Sequence, residues 1–487
     1  MGQPLFTVEQ LRAAEATASK TLPSGTLMER AGKAAAQVID ARLKKSGGRG
    51  VAVVCGGGNN GGDGYVCAVE LKTLGYDVAC FAIAAAAASD AIAAARRWKE
   101  VGGCTTASLP SDAHFDAVVD GLLGIGLSRP LAGTYLDAVR WINTRDSIVF
   151  AMDVPSGLDA EHGCWVGAVP GVEADATITF IGATPGLFTG DGCESAGEVA
   201  TEALGVSLPP GDGLLSSPAV FARVLERRRR NSHKGEFGNV AVVGGGAGMV
   251  GAPLLAARAA LRMGAGRVFV DCVGARDIRV DPQQPELMFR DFGSLRDIDA
   301  WVIGCGLGAD ALAADALERA LSCVRSACVL DADALNLIAA HPQKFRASIE
   351  RVPSAVLTPH PLEAARLLSI SAAEVQSDRV GAARRLADSI GGLVVLKGAG
   401  TVIAQPDGRY WINSTGGPSL ATPGTGDVLA GMIGAFIGQK FPLMEAVLAA
   451  VWLHGAAADE YGGDIGLTAG ELPAFAASRL NRLRRGL

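Results

Sequence analysis

The sequence predicts two α/β domains, each built on a doubly wound sheet with helices on both faces. The chain of 487 residues is longer than a single hydrophobic core usually supports. In both halves, short apolar runs end in glycine loops and are followed by helical spacing, the alternation typical of doubly wound sheets. This pattern stops between residues 207 and 217, where Pro209-Pro-Gly-Asp-Gly213 is typical of a linker. We therefore predict domains at residues 1–210 and 225–487, joined by a linker at 211–224.

The predicted elements follow the apolar periodicity. Helices are expected from Thr7 to Lys20 and from Leu27 to Lys45. Apolar runs predict N-terminal strands at residues 51–55, 77–83, 117–120, 148–152 and 176–180. The C-terminal series is predicted at residues 240–244, 267–271, 300–303, 327–330, 355–357, 393–396 and 401–404. The apolar region 428–454 is interrupted by Gln439, Lys440 and Pro442, which predicts two buried helices rather than a membrane span.

Composition narrows the class of protein. Hydrophobic residues make up 49% and charged residues 19% of the chain. The net charge of -6 lacks the basic balance that is typical of nucleic-acid-binding proteins. No secretory signal is expected from the first residues. The ten cysteines include no C-x-x-C pair, which argues against zinc and against a disulfide framework. We expect a cytoplasmic protein with no membrane or nucleic-acid partner, and self-association into a homo-oligomer. The basic run Arg227 to Arg230 favours a solvated helix end over a binding patch.

A glycine-rich loop, Gly56 to Gly64, joins the first predicted strand to a helix. Glycines there let backbone N–H groups approach an anion, and the helix N-terminus adds a favourable dipole. An ordinary turn would explain the glycines alone. The polar residues inside the loop, Asn59, Asn60 and Asp63, favour a binding loop instead.

Two further loops follow predicted strands, where open α/β sheets bind ligands. They run from Asp120 to Pro130 and from Met152 to Asp159, and each places a carboxylate at a strand end. Asn60, Asp120 and Ser156 together offer hard oxygen ligands for a monovalent cation. The alternative is that Asp120 and Asp153 only cap the turns that follow them.

These three loops, with Leu27-Met-Glu-Arg-Ala-Gly32, resemble the NAD(P)H-hydrate epimerase family over most of residues 1–205. The resemblance implies a Rossmann-like three-layer αβα domain, a potassium ion held by Asn60, Asp120 and Ser156, and inversion at the hydroxylated ring carbon with Asp153 or Asp120 as the proton-moving group. The residues implied to bind the hydrated dinucleotide are Asn59, Asn60, Gly61, Gly62, Asp63, Gly124, Ile125, Gly126, Leu127, Ser128, Arg129, Pro130 and Asp153. A clean G-x-G-x-x-G fingerprint is missing, which argues against a hydride-transferring dehydrogenase.

The strongest signal is the segment Asn413 to Asp427, which ends in Gly424-Thr-Gly-Asp427 at a predicted helix start. Backbone donors there can hold a phosphate, and the carboxylate can accept a proton from a substrate hydroxyl. A helix cap would explain the glycines but not the final aspartate. The loop therefore predicts phosphoryl transfer, with Asp427 as the base.

This loop resembles those of ribokinase-like phosphotransferases, and six further motifs in order resemble the NAD(P)H-hydrate dehydratases over about residues 225–485. These motifs lie at residues 233–240, 251–266, 304–308, 330–336, 357–363 and 397–401. The resemblance implies a ribokinase-like α/β domain that phosphorylates the ring hydroxyl of the S hydrate, with ADP favoured over ATP and with Mg²⁺, and then eliminates phosphate. It implies hydrate contacts by Ala252, Gly306, His360 and Asp427, and nucleotide contacts by Lys397, Gly398, Ala399, Gly400, Thr401 and Gly426.

Some features leave alternatives open. Asp331 and Asp333 either position magnesium or water or cap a helix. Gly417, Pro423 and Leu362 depart from the residues usual in this family, where Asn, Gly and Gly stand, and we expect an effect on nucleotide affinity. The rival functions are a ribokinase-type small-molecule kinase fused to a nucleotide-sensing domain, and a non-enzymatic scaffold.

Overall fold

The structure, a computed structural model, describes residues 2–486. The chain divides into two compact units, one of residues 4–213 and a larger one that contains residues 2–3 and 214–486. Met1 and Leu487, the outer ends of the two predicted domains, lie outside the described residues.

The segment predicted to be a linker, residues 211–224, carries regular structure. It contains the strand Gly213–Leu215 and most of the 3-10 helix Pro218–Leu225. Phe221 and Val224 of this helix are fully buried in the core of the larger unit. The backbone is kinked at Phe221, which has a φ of −133° and a ψ of 42°, and the burial of both apolar side chains shows that the segment packs against the core.

The N-terminal half forms a parallel sheet between two layers of helices. The short strand β1 (Pro4–Leu5) precedes this sheet and is not part of it. The sheet consists of β2 (Gly50–Cys55), β3 (Asp77–Ala82), β4 (Thr105–Thr106), β5 (Ala117–Gly121), β6 (Ile148–Met152), β7 (Ala176–Phe180) and β8 (Glu198–Glu202). Its helices are α1 (Val8–Ala18), α2 (Thr26–Ser46), α3 (Asn59–Thr73), α4 (Ser89–Glu100), α5 (Gly133–Asn143) and α6 (Gly192–Ser195). The sheet order is β4-β3-β2-β5-β6-β7-β8. Alternate residues of β2 enter different cores: Val51 and Val53 pack with α2, α3 and α4, whereas Ala52 and Val54 pack with α5.

The C-terminal half has a longer mixed sheet. Its strands are β9 (Gly213–Leu215), β10 (Asn239–Gly244), β11 (Arg267–Cys272), β12 (Met288–Phe289), β13 (Ala300–Ile303), β14 (Ala327–Leu330), β15 (Ser354–Leu357), β16 (Leu393–Leu396), β17 (Thr401–Ala404) and β18 (Tyr410–Asn413). Its helices are α7 (Gly251–Arg262), α8 (Ala311–Cys323), α9 (Asp333–Ala340), α10 (Pro342–Ile349), α11 (Pro361–Leu368), α12 (Ala372–Ser377), α13 (Arg379–Ile390), α14 (Thr425–Gly438), α15 (Leu443–Tyr461) and α16 (Leu472–Arg485). The order runs β9-β18-β17-β16-β15-β14-β13-β10-β11-β12.

The predicted α/β class is confirmed, and the central strands lie where the apolar runs predicted them. The strands from β10 to β16 pair in parallel, whereas β16, β17 and β18 are antiparallel neighbours. Residues 397–400 are too few for a parallel crossover, so β17 must turn back along β16. Helices α14 and α15 are the two buried helices expected at residues 428–454. Among the described residues, no helix is long and apolar enough to cross a membrane.

The sheet order also explains where the glycine loops meet. β2 has β3 on one side and β5 on the other, and β10 likewise lies between β11 and β13. At such points the connections leave toward opposite faces and open a crevice at the carboxyl ends of the strands. Residues 56–58 leave the end of β2 and lead directly into α3, so the second part of the predicted glycine loop is helical; the loop 304–308 leaves the end of β13.

Candidate active sites

A cavity of about 620 Å³ opens at the carboxyl edge of the N-terminal sheet. Among its lining residues are Asn59, Asn60 and Asp63, from the first turns of α3. The segment Gly124–Leu127 and Asp153 complete the part of the lining that the sequence predicted. Residues from three loops separated in sequence therefore meet at one crevice.

Other predicted residues lie outside the lining of this cavity. Gly61 and Gly62 pack inward: a Cβ on Gly61 would stand 2.0 Å from the Gly56 carbonyl oxygen. Ser128, Arg129 and Pro130 continue past the cavity wall, and Pro130 packs beside Gly167. Residues 124–127 therefore line the cavity, whereas residues 128–130 do not.

Asp120 lies behind the cavity and is fully buried. Its carboxylate accepts hydrogen bonds from the Ser156 amide at 2.8 Å, the Ser156 hydroxyl at 2.7 Å and the Leu122 amide at 3.1 Å. Burial raises the pKa of Asp120 to about 6, although these donors oppose the shift. Asp120 thus caps its own turn and also holds the Ser156 loop.

Asn60 gives independent support for a cation beside this cluster. Its side-chain amide donates to the Met152 carbonyl at 3.1 Å. Its Oδ1 atom is buried and has no hydrogen-bond partner among the described residues. Because a buried oxygen without a partner is costly, a cation ligated by Asn60 Oδ1 fits this site.

Asp153 faces the cavity, in contrast to Asp120. Its backbone has a φ of 70°, and its Oδ2 accepts the Ile125 amide at 2.7 Å. Burial raises the pKa of Asp153 to about 6, and the nearby Glu15 carboxylate adds to the shift. Burial also raises the pKa of Asp63 well above its usual value, with further contributions from Asp153 and Glu15. Two carboxyl groups at this cavity, Asp153 and Asp63, therefore have raised pKa values.

Sequence reasoning missed the contribution of α1 to this cavity. Arg12 and Glu15 line it, together with Leu11. The sequence showed apolar residues at helical spacing with polar residues between them, which predicted only an amphipathic helix. The sequence offered one signal for this role: Arg12 and Glu15 are charged and lie beside the apolar stripe of α1.

In the C-terminal half, Asp427 lies in the first turn of α14, whose N-cap Gly424 has a φ of 91°. The Cys305 thiol and carboxylate oxygens of Asp331 and Asp427 all lie within 4.8 Å of one another. Burial raises the pKa of Asp427 to about 6, and the Asp331 charge adds to this, while a hydrogen bond with Cys305 opposes it. Asp427 is thus poised to exchange a proton near neutral pH.

Lys397 is held by a buried carboxylate. Its ammonium lies 2.7 Å from Asp331, which also accepts the Thr358 hydroxyl at 2.8 Å. Burial opposes the charge on Lys397, but Asp331 and Glu363 outweigh burial and raise its pKa. A Cβ on Gly426 would stand 3.3 Å from the ammonium nitrogen. Lys397 and the start of α14 therefore border the same space.

The remaining predicted nucleotide loop, Gly398 to Thr401, is supported by a buried arginine that sequence reasoning missed. Arg379 donates to the Leu396 and Lys397 carbonyls at 3.3 and 3.2 Å. Gly398 has a φ of 135° and no room for a side chain against this guanidinium. The Thr401 hydroxyl closes the loop by donating to the Gly398 carbonyl at 3.0 Å.

Ala252 and Gly306, two of the predicted hydrate contacts, lie next to each other. A Cβ on Gly306, which has a φ of 58°, would stand 3.0 Å from the Ala252 Cβ. His360 has a clear structural role as the N-cap of α11: its Nδ1 accepts the Leu362 and Glu363 amides at 3.1 and 3.4 Å. About half of its side chain remains exposed.

The pair Asp331 and Asp333 does not cap its helix in the usual way. Asp333 accepts the Gly308 amide at 2.8 Å and so ties the loop after β13 to α9. Between them Ala332 has a φ of 49° and a ψ of −117°, which costs energy for a residue with a Cβ. This strained residue lets both carboxylates leave the same strand end in different directions.

Comparison with known proteins identifies both halves. Residues 24–186 match the family model described as YjeF-related protein N-terminus, and residues 240–477 match the model described as NAD(P)H-hydrate dehydratase. The bifunctional NAD(P)H-hydrate repair enzyme of Escherichia coli is 39% identical, over 94% of this chain and 89% of its own length. That of Coxiella burnetii is 36% identical, over 96% and 97%. The chain belongs to the family of bifunctional NAD(P)H-hydrate repair enzymes.

Two further relatives match only the C-terminal half of this chain. The ADP-dependent (S)-NAD(P)H-hydrate dehydratase of Neisseria meningitidis is 42% identical over 56% of this chain and 95% of its own length. The crystal structure of an ADP/ATP-dependent NAD(P)H-hydrate dehydratase from Bacillus subtilis, with ATP and Mg²⁺, covers 54% of this chain and 96% of its own, with 31% identity and a TM-score of 0.47. The family resemblance predicted from the motifs is confirmed.

The three departures from the usual residues of this repair family have different surroundings. Gly417 has a φ of −141°, and no atom lies within 4 Å of a Cβ built on it. Leu362 is 47% exposed in the first turn of α11. Pro423 lies just before the Gly424 N-cap of α14. None of the three disturbs the described position of Asp427.

Proposed function

We propose that this protein repairs hydrated NADH and NADPH with two activities. The N-terminal cavity interconverts the R and S hydrates, and the C-terminal site dehydrates the S hydrate with a nucleotide phosphate donor. Family membership supports both activities over a ribokinase-type kinase. The observation that carries the assignment to sites is that each half places one partly buried carboxyl beside glycine-rich backbone: Asp153 lines the cavity with Gly124 and Gly126, and Asp427 follows Gly424 and Gly426 at the start of α14. Burial raises the pKa of both groups to about 6.

In the epimerase half, Asp153 is the proposed proton-transfer group, because it lines the cavity and Asp120 does not. Asp120 acts by holding the Ser156 loop, as its two hydrogen bonds from Ser156 support. A potassium ion would be held by Asn60 Oδ1 with Asp120 and Ser156. When bound, it supplies a fixed positive charge beside the buried Asp120 carboxylate.

In the dehydratase half, Asp427 accepts the proton of the ring hydroxyl as its oxygen attacks the terminal phosphorus of the donor. The bond from that phosphorus to the nucleotide breaks, so ADP leaves as AMP and the ring gains a phosphate ester. Loss of a ring proton and departure of inorganic phosphate then restore the dihydronicotinamide double bond. Amides at the start of α14 stabilise the transferring phosphoryl group. Lys397, which gives one of its three N–H donors to Asp331, directs the others to the nucleotide phosphate.

Two details of the donor belong to this proposal. ADP is favoured over ATP, which the name of the Neisseria relative supports. Asp331 offers a carboxylate oxygen of the kind that Mg²⁺ prefers, whereas the nearby Cys305 thiol is a poor ligand for it. The ion, when bound, supplies charge neutralisation between donor phosphates.

The deciding assay follows the near-ultraviolet absorbance of the dihydronicotinamide ring after the protein is mixed with R and S NADH hydrates. ADP, ATP or no nucleotide is added. Full recovery with ADP supports both activities, and recovery that stops once the S hydrate is consumed supports the dehydratase alone. A stable phosphorylated product without recovery would favour the kinase. Asp153→Asn and Asp427→Asn variants assign each step to its half.

The proposed cytoplasmic location rests on the cysteines, all ten of which are free thiols. Self-association into a homo-oligomer remains a proposal as well. Light scattering of the purified chain at several concentrations tests it directly.

A further inference from the structure

A cleft of about 420 Å³ in the C-terminal half is lined by Arg227, Arg228, Asn481, Arg484 and Arg485. Two segments distant in sequence form it. Arg227 and Arg228 follow the 3-10 helix Pro218–Leu225, and the other three residues lie in the last two turns of α16. None of these residues belongs to either proposed active site.

Neutral oxygen atoms hold the guanidinium groups in place. Arg228 donates to the Gly264 carbonyl and to the Gln439 side chain, both at 2.6 Å, and stacks 3.6 Å from the centre of the Phe237 ring. Arg484 donates to the Val224 carbonyl at 2.8 Å, and Arg227 donates to the Arg484 carbonyl at 2.8 Å. The side chains are ordered by these contacts, but their charges are not compensated by them.

Carboxylates in this region pair with other arginines. Glu445 lies 3.5 Å from Arg223, and Glu460 pairs with Arg482. Within residues 2–486, no ion pair joins a carboxylate to any of the four arginines of the cleft. Four positive charges therefore share one cleft in a protein whose net charge is -6.

A helix-end role explains only part of this arrangement. Cations in the last turn of a helix interact favourably with its free carbonyls, which accounts for Arg484 and Arg485. It gives no reason for Arg227 and Arg228 to approach from another segment. Burial and the charge of Arg228 lower the pKa of Arg484 to about 10, so their closeness has a cost. An arrangement that brings like charges together is stabilised when an anion binds between them.

We propose that this arginine cleft binds a small anion that carries two or more phosphate groups. Guanidinium groups match phosphate oxygens with paired N–H donors, and each still has donors that its protein contacts do not use. The Asn481 side chain adds a neutral donor and acceptor at the edge. The basic run alone predicted a solvated helix end for Arg227 to Arg230. Arg229 and Arg230 are exposed and do not line the cleft, but they lie beyond the end of the 3-10 helix.

The test uses inorganic tripolyphosphate with the full chain and two double variants of equal charge. Arg227→Gln/Arg485→Gln removes two cleft arginines, whereas Arg229→Gln/Arg230→Gln removes two from the same basic run outside it. We expect calorimetric titration to show tripolyphosphate affinity reduced by about tenfold or more at one site in the first variant only, since it removes two of the four guanidinium groups that line the cleft. Equal affinity in both variants would overturn the proposal.

Mapping with an arginine-selective reagent, read by mass spectrometry, separates this cleft from binding in the active sites. Tripolyphosphate should protect Arg227 and Arg485 from phenylglyoxal and leave Arg229 and Arg230 reactive. Protection of neither pair would also overturn the proposal. A short oligonucleotide used as a competitor distinguishes the source of phosphate: displacement by it at equal phosphate concentration would point to a nucleic-acid backbone and against a small anion.

Discussion

The Lys397 ammonium and the Asp331 carboxylate lie 2.7 Å apart at the carboxyl ends of β16 and β14. Only β15 separates these two strands in the sheet. The cation next to the proposed nucleotide site is therefore anchored by an anion that is itself almost completely buried. This relationship makes Lys397 part of the fold as well as part of the site.

Replacing Lys397 by Met should destabilise the C-terminal half by about 3–5 kcal/mol, because Asp331 would remain as a buried charge without its partner. Denaturant unfolding monitored in the full chain measures this. The double variant Lys397→Met/Asp331→Asn should recover most of the stability but not the dehydratase activity. A double variant as unstable as Lys397→Met alone would contradict the pairing.

Replacing Asp427 by Asn should reduce the dehydration rate by about 10²–10⁴-fold, the usual contribution of a positioned base. Epimerisation should be unchanged, which serves as the internal control. In the unmodified protein the rate should rise with pH through about 6 and level off above it, since the carboxylate must be ionised to accept a proton. A flat profile across this range would argue against Asp427 as the base.

The same raised pKa has a consequence for stability. Folded Asp427 keeps its proton up to a pKa of about 6, whereas in the unfolded chain it releases the proton near its ordinary 3.8. The free energy of unfolding therefore falls as pH rises between these values. Asp427→Asn should stabilise the C-terminal half by about 1–2 kcal/mol at pH ~8 and have little effect at pH ~4. Thermal unfolding of both proteins at the two pH values checks this.

In the N-terminal half, Asp153→Asn and Asp120→Asn should have different effects. The first should abolish epimerisation at every potassium concentration, because it removes the carboxyl that faces the cavity. The second should leave activity that requires more potassium, because Asp120 holds Ser156 and the proposed cation rather than the substrate. Epimerisation rates measured over a potassium series distinguish the two, and identical losses would contradict the separation of roles.

The sequence predicted the central strands and the glycine loops well, because a buried parallel strand is a continuous apolar run that ends in a glycine turn. It did not predict β8, whose residues Glu198–Glu202 include two glutamates on an edge strand. Edge strands need no continuous apolar run, so their signal is weak. β18 was also not predicted, because only the short turn that leads back from β17 indicates that a further strand follows.

The sequence predicted which residues carry the site chemistry, but it did not predict which residues they contact. Asp427 and Asp153 could be singled out because their loops contain carboxylates that turns do not need. The Lys397–Asp331 pair spans 66 positions and depends on which strands are neighbours, which the sequence pattern does not give. His454 donates to the Thr425 carbonyl at 2.9 Å from within α15, and burial lowers its pKa to about 4. Nothing local distinguishes it from an ordinary core residue.

Gly124 tests how narrowly Asp153 is positioned. A Cβ at Gly124 would stand 2.3 Å from Asp153 Oδ2, so Gly124→Ala must displace that carboxylate. Epimerisation should fall by about 10²-fold, as expected for a misplacement of about 1 Å. Gly126→Ala is the matched control, since its Cβ would meet only the tip of Arg12 at 3.7 Å. Equal activity of the two variants would show that the Asp153 position is not critical.

The glycine pair before α14 separates a structural glycine from a replaceable one. Gly416 has a φ of 100°, and a Cβ there would stand 2.8 Å from Leu420 Cδ1, so Gly416→Ala should destabilise the fold by more than about 1 kcal/mol. Gly417 has an extended backbone and open space, so Gly417→Ala should stabilise it by about 0.4–1 kcal/mol by restricting the unfolded chain. Gly417→Asn, which introduces the residue usual in the family, should be as stable as Gly417→Ala. If Gly417→Asn binds the nucleotide more tightly than Gly417→Ala, the difference in affinity measures the contribution of the side-chain amide. Unfolding curves and nucleotide titrations of the three variants check this, and a destabilised Gly417→Ala would contradict the described backbone.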